Sequence, residues 1–186
     1  AEEVKPSLVS IKVTEREQEG IKHFEFQWPP EEGWEFQFPK EFKKWFKEFK
    51  LPPVPKKGIG SGFVCKVSRD KVYILTNLHV VKDAKKIEVR LSDGQIFRGD
   101  EIEIVGEDRP SDLAVLMVRS KNPPPPLSFA NSDEVKVGQW VVAVGNPFGL
   151  QETFTFGIVS AIGRSGVPLP FGPEYQEFIQ TDAAIN

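Results

Sequence analysis

The stretch Val72-Tyr73-Ile74-Leu75-Thr76-Asn77-Leu78-His79-Val80-Val81 runs from an apolar strand into polar sequence and back to apolar residues. Val72 to Leu75 has strand character, and the break that follows it puts His79 at a strand end. An imidazole titrates close to neutrality, so it can take up and return a proton within one reaction cycle, and a rigid strand would hold it meanwhile. A second stretch, Arg109-Pro110-Ser111-Asp112-Leu113-Ala114-Val115-Leu116, again sets a polar residue, Asp112, against an apolar run. A carboxylate bonded to one imidazole nitrogen fixes the tautomer, stabilises the imidazolium and leaves the other nitrogen as the base. Local pattern alone keeps a second reading open, in which His79 is a satisfied, half-buried histidine and Asp112 a turn residue.

Three more blocks accompany these two. They are Val137-Gly138-Gln139-Trp140-Val141-Val142-Ala143-Val144-Gly145-Asn146-Pro147-Phe148-Gly149-Leu150, Gly157-Ile158-Val159-Ser160-Ala161-Ile162-Gly163-Arg164 and Phe178-Ile179-Gln180-Thr181-Asp182-Ala183-Ala184-Ile185-Asn186. With Thr76 to Val81 and Ser111 to Leu116 they resemble, in order and from Gly60 to Asn186, the HtrA (Deg) family of serine proteases. That resemblance implies an all-β fold, a trypsin-like pair of β-barrels, and puts the catalytic histidine and aspartate on His79 and Asp112. It also implies a nucleophilic serine inside a Gly-Asn-Ser-Gly-Gly motif soon after the Thr-Asp-Ala-Ala-Ile-Asn block, whereas the sequence ends at Asn186. The nucleophile is therefore expected outside these residues, the parent protein is expected to continue, and the 186 residues by themselves are expected to be inactive.

Ser61, in Gly58-Ile59-Gly60-Ser61-Gly62, superficially resembles a glycine-flanked nucleophile. A nucleophile elbow has glycines two positions either side of the serine and joins a strand to a helix. Here those positions are Ile59 and Phe63, and the glycines lead into a strand, where glycine allows tight packing or a bulge. Ser61 is accordingly not expected to be catalytic.

Composition bounds the function. A chain of 186 residues with 39% apolar content can fill one good-sized domain or two small barrels. A formal charge of -3 and a pI near 5.6 give no basic surface for nucleic acid. No apolar run is long enough to span a membrane. Cys65 is the single cysteine, and the two histidines, His23 and His79, do not lie in metal-spacing motifs, so neither a disulfide, a metal nor another cofactor is expected. The resemblance implies export to the periplasm or cell envelope, and the Ala1-Glu2-Glu3 start is compatible with a signal peptide already removed.

Taken in order, Leu8 to Thr14 alternates like a strand with one buried face. Phe24 to Phe49 then holds ten of the 21 aromatic residues. Phe24 to Trp28 and Trp34 to Phe38 alternate as a hairpin would, while Phe42, Trp45, Phe46 and Phe49 recur at helical spacing. Such an insertion, residues 20–57, is expected to pack on its own barrel or on itself, to supply an inter-subunit contact, or, against its acidic hairpin arms, to lie on a membrane surface through the lysine-flanked aromatic helix. In the family a long loop at this position reaches toward neighbouring subunits, which implies a homotrimer or larger homo-oligomer.

Short strands are expected at Gly62 to Val67, Val72 to Thr76, Ile87 to Leu91, Gln95 to Arg98, Ile102 to Val105 and Leu113 to Val118, with a hairpin at Ser92-Asp93-Gly94. They would complete a first barrel of about six strands over residues 1–122. Pro123 to Pro126 reads as an extended linker into an incomplete second barrel, residues 123–186, with strands at Trp140 to Val144, Thr153 to Ala161 and Phe178 to Asp182. Ser165 to Tyr175 is irregular and lies where the family has a regulatory loop. Two functions from different classes follow: a serine endopeptidase acting on unfolded or damaged polypeptides, implied by the resemblance, or a non-catalytic chaperone-like or protein-binding β-barrel module.

Overall fold

Alternation of apolar and polar side chains sets the strands, and the strands set where His79 and Asp112 fall. The computed structural model describes residues 2–16, 58–145, 153–166, 173 and 175–184. In chain order its strands are β1 (Leu8–Arg16), β2 (Gly58–Ser68), β3 (Lys71–Asn77), β4 (Ala84–Leu91), β5 (Ile96–Arg98), β6 (Glu103–Asp108) and β7 (Leu113–Arg119). These are followed by β8 (Trp140–Gly145), β9 (Thr153–Arg164) and β10 (Phe178–Thr181), and a single helical turn, α1 (Leu78–Val81), follows β3. Each sequence-predicted strand that falls on the described residues is present, longer or shorter by a few residues.

The first seven strands form one antiparallel sheet in the order β5-β4-β1-β2-β3-β7-β6, and the last three form a second, β10-β9-β8. The first sheet thus has seven strands rather than about six. Its two edge strands are β5 and β6, and it forms a curled half-barrel. The edge strands are joined by four residues, 99–102. A connection that short spans at most roughly 17 Å, so the sheet must curl until its edges face each other.

Curling gives the sheet an inside. Val9, Ile11 and Val13 of β1, Val72 and Ile74 of β3, Val89 and Leu91 of β4 and Leu116 and Val118 of β7 are buried there in one cluster. Leu78, Val80 and Val81, three of the four residues of α1, join the same cluster. At about 1.5–3 kcal/mol per fully buried aliphatic side chain, those three bind the helical turn to the sheet more firmly than one turn's own hydrogen bonds could. The proline run is docked rather than loose: Pro124 is buried, Ser7 donates through Oγ to the Pro125 carbonyl at 2.7 Å, and the Leu127 N–H donates to the Val64 carbonyl at 2.8 Å.

The second sheet buries less. On β8 and β9, Trp140, Val142 and Phe156 are 73%, 60% and 74% exposed, although every residue from Trp140 to Val144 is apolar. The hairpin and helix expected within residues 20–57, His23, the Asn146 to Gly149 turn and most of the irregular stretch before Tyr175 lie outside the described residues.

Cys65 of β2 offers a direct check on the first sheet. Burial pushes its thiol above the usual range, more than its own backbone amide and the Lys66 charge pull it down, and its Sγ lies 3.4 Å from the Tyr73 carbonyl oxygen. A thiol harder to ionise when folded contributes stability that is complete below the unfolded-chain pKa and is lost as pH rises through the folded one. Iodoacetamide at mildly alkaline pH should therefore alkylate Cys65 more slowly in the folded chain than in urea, and equal rates would show that β2 is not packed as described.

Candidate active site

β3 and β7 are neighbours, and their register pairs Asn77 with Leu113 and Thr76 with Ala114. One residue before Leu113 stands Asp112, and two after Asn77 stands His79, so strand pairing alone brings the two within reach. The sequence put His79 at the end of a strand. It lies instead one residue inside α1, because Leu78, Val80 and Val81 are more deeply buried by turning back over the core than by continuing β3. The same packing turns His79 outward.

Gly60 of β2 makes room for that turn. A Cβ there would meet Val80 Cγ1 at 2.5 Å and Cγ2 at 2.7 Å, so any larger residue would push α1, and His79 with it, away from the sheet. This bears out the reading of the Gly58 to Gly62 stretch as tight strand packing. Ser61 sits within β2, its carbonyl accepting from Thr76 Oγ1 at 2.8 Å.

Asp112 is held at several points. Its backbone adopts φ +54°, a left-handed conformation that aspartate tolerates better than most residues. Its N–H donates to the Arg109 carbonyl at 3.1 Å, and its carbonyl accepts from the Leu78 N–H at 3.0 Å and from Asn77 Nδ2 at 3.1 Å. Both carboxylate oxygens face α1: Oδ1 accepts from the His79 N–H at 2.8 Å, and Oδ2 lies 2.6 Å from His79 Nδ1. The Asp112 side chain is 8% exposed while that of His79 is 56% exposed.

This geometry fixes the tautomer. Oδ2 of a carboxylate can only accept, so the proton shared with it belongs to Nδ1 and the lone pair to Nε2. The arrangement can accept a proton at Nε2 and stabilise the resulting imidazolium through Asp112. The structure therefore brings together both residues singled out from sequence. Sequence reasoning did not single out Asn77, which ties the end of β3 to the Asp112 carbonyl; its place at the strand end opposite Leu113 was the available signal.

A cavity of about 920 Å³ between the sheets is lined by Ser61, Thr76, Asn77, Leu113, Val142, Val144 and Gly145, among others. Neither His79 nor Asp112 is among the residues that line it. Among the described residues no group of three or more His, Cys, Asp or Glu side chains is placed to hold a metal ion, and no helix is long and apolar enough to cross a membrane.

Residues 60–186 match the family described as "Trypsin-like peptidase domain". The whole chain is 40% identical to the periplasmic pH-dependent serine endoprotease DegQ of Escherichia coli K12, covering 36% of that protein. Over 69% of the chain it is 47% identical to the periplasmic serine endoprotease DegP of the same organism, covering 25% of it. Among solved structures, the HtrA-type protease AlgW with a tripeptide matches the whole chain at a TM-score of 0.68 and 31% identity, over 45% of its own length. The chain thus spans about a third of DegQ and under half of that AlgW chain.

The Asp112 network predicts a stability change apart from any activity. Asp112→Ala removes the acceptor of a backbone N–H and forces alanine into a left-handed conformation, so it should cost about 2–4 kcal/mol in urea unfolding. Asp112→Asn, which keeps an acceptor oxygen, should cost clearly less; equal losses would mean that the His79 N–H contact does not matter.

Proposed function

The chain belongs to the trypsin-like peptidase family and is homologous to the HtrA-type proteases DegQ and DegP, and from that membership we propose that the protein carrying it is a serine endopeptidase of protein quality control. Its substrates are unfolded or damaged polypeptides, and its compartment is the periplasm or cell envelope. In this reading His79 is the general base and then the general acid. Its Nε2 takes the proton of a serine hydroxyl as that oxygen attacks the scissile carbonyl, then returns it to the leaving amine. Asp112 keeps the proton on Nδ1 and offsets the imidazolium charge. The serine itself comes from polypeptide that follows the Thr181 to Asn186 block.

What carries the reading is the 2.6 Å contact between His79 Nδ1 and Asp112 Oδ2, made by a buried carboxylate and an exposed ring. A merely satisfied histidine would have no need of a carboxylate whose own backbone is held by three further hydrogen bonds. The division into residues 1–122 and 123–186 belongs to the same proposal, supported by the separate sheets on either side of the proline run. So does assembly as a homotrimer or larger homo-oligomer, supported by the concentration of aromatics between Phe24 and Phe49.

The test uses the full-length protein and an unfolded substrate such as casein. His79→Ala should lower kcat/KM by at least about a thousandfold, and Asp112→Asn by a similar factor because the amide stabilises the wrong tautomer. Either variant cleaving at nearly the wild-type rate would remove these two residues from the mechanism.

A further inference from the structure

Asp182 stands just past the end of β10, where the backbone ladder runs out. The last β10–β9 pair is Thr181 with Val159, and the four-residue strand has two register shifts, between Phe178 and Gln180 and between Gln180 and Thr181. So short and irregular a ladder does not fix the path of the chain that leaves it. Three side-chain features take over. In an antiparallel strand successive N–H groups point to opposite neighbours. The Val159 N–H is taken by the Gln139 carbonyl at 2.9 Å on the β8 side, so the Ile158 N–H faces the β10 side. There Asp182 Oδ1 accepts it at 2.7 Å, a carboxylate oxygen standing where a strand carbonyl would otherwise be.

The other two features act on the following residues. Thr155 Oγ1 of β9 donates to the Ala184 carbonyl at 2.6 Å, and the Ala183 N–H donates to Thr181 Oγ1 at 3.0 Å. Between them Gly157 of β9 lets the segment lie directly on the strand: a Cβ there would overlap Asp182 Oδ1 and Ala183 N and would stand 2.9 Å from Ala183 Cα. Ala183 is buried as a result.

We infer that Asp182, with Thr155 and Gly157, is a positioning residue that clamps the Asp182 to Ala184 segment onto β9 and so sets the place of the nucleophile. The inference rests on the endopeptidase reading above, in which the serine follows this segment. Groups that act only on the transition state are sensitive to displacement, and a shift of about 1 Å costs on the order of a hundredfold in rate. Substrate contacts made away from this segment are spared. Loosening the clamp therefore lowers kcat and leaves KM alone.

The experiment compares full-length wild type, Asp182→Ala, Asp182→Asn and Thr155→Val by steady-state cleavage of a peptide and by the rate of labelling with a serine-directed fluorophosphonate. Asp182→Ala should lower kcat and labelling by about 30- to 100-fold with KM within about twofold of wild type. Asp182→Asn, which can still accept from the Ile158 N–H, should stay within about fivefold of wild type, and Thr155→Val should label about tenfold more slowly. Wild-type labelling of Asp182→Ala, or an Asp182→Asn defect as deep as that of alanine, overturns the inference. Should the alanine variant fail to fold, wild-type labelling of Thr155→Val overturns it instead. A wild type that reacts with no fluorophosphonate overturns the endopeptidase reading as well, whereas a reactive wild type beside unaffected variants overturns the clamp alone.

Discussion

Burial of three neighbouring apolar side chains, Leu78, Val80 and Val81, is the constraint from which the site follows. A four-residue helical turn has little stability of its own, because nucleating a helix fixes several residues for one hydrogen bond. Here the curled sheet supplies what the turn lacks, and the fourth residue, His79, is left to face outward. Gly60 allows the approach, and the β3–β7 register delivers Asp112 to the other side of the turn. The proposed base sits on a packed helical turn, and its partner in the short turn that leads directly into β7. They hang on two paired strands and a packed core, the kind of support that keeps reacting groups in geometry.

Asp112 adds a second level of control. One side chain bonds both the backbone N–H and the ring Nδ1 of the same histidine, so the position of α1 and the orientation of the imidazole are set together. The cost is a left-handed backbone at a residue other than glycine, offset by hydrogen bonds from Leu78 and Asn77 to the Asp112 carbonyl. Strain of this kind gathers where surrounding structure over-determines a residue for function. The second sheet contrasts with this. Its exposed Trp140, Val142 and Phe156 pack little, and it is side-chain contacts with β9, not a long ladder, that direct the chain beyond Thr181.

Much of this was legible in the sequence because one-sided burial leaves a period of two. Val9, Ile11 and Val13, or Val72, Ile74 and Thr76, announce their strands because each alternate residue meets the core. The dyad was legible through the motifs around His79 and Asp112. The strand order was not, since pairing β1 between β2 and β4 is a long-range choice that no local period encodes. Nor was the helical turn at His79: Leu-His-Val-Val reads equally well as strand, and only the inside of the curled sheet decides. Asp182 escaped notice for a related reason, because its work is to replace a missing backbone partner, and sequence pattern does not show which carbonyls are missing.

The account turns on one proton. With Asp112 Oδ2 accepting from Nδ1, the neutral His79 ring must carry its hydrogen on that nitrogen and present a lone pair at Nε2. Nitrogen NMR of the ring, isotope-labelled at His79 and recorded above its titration midpoint, reads this directly. The account predicts a protonated Nδ1 and an unprotonated Nε2, with the preference reversed in Asp112→Asn. A neutral ring protonated at Nε2 in the wild type, or one whose tautomer is indifferent to Asp112, would contradict it.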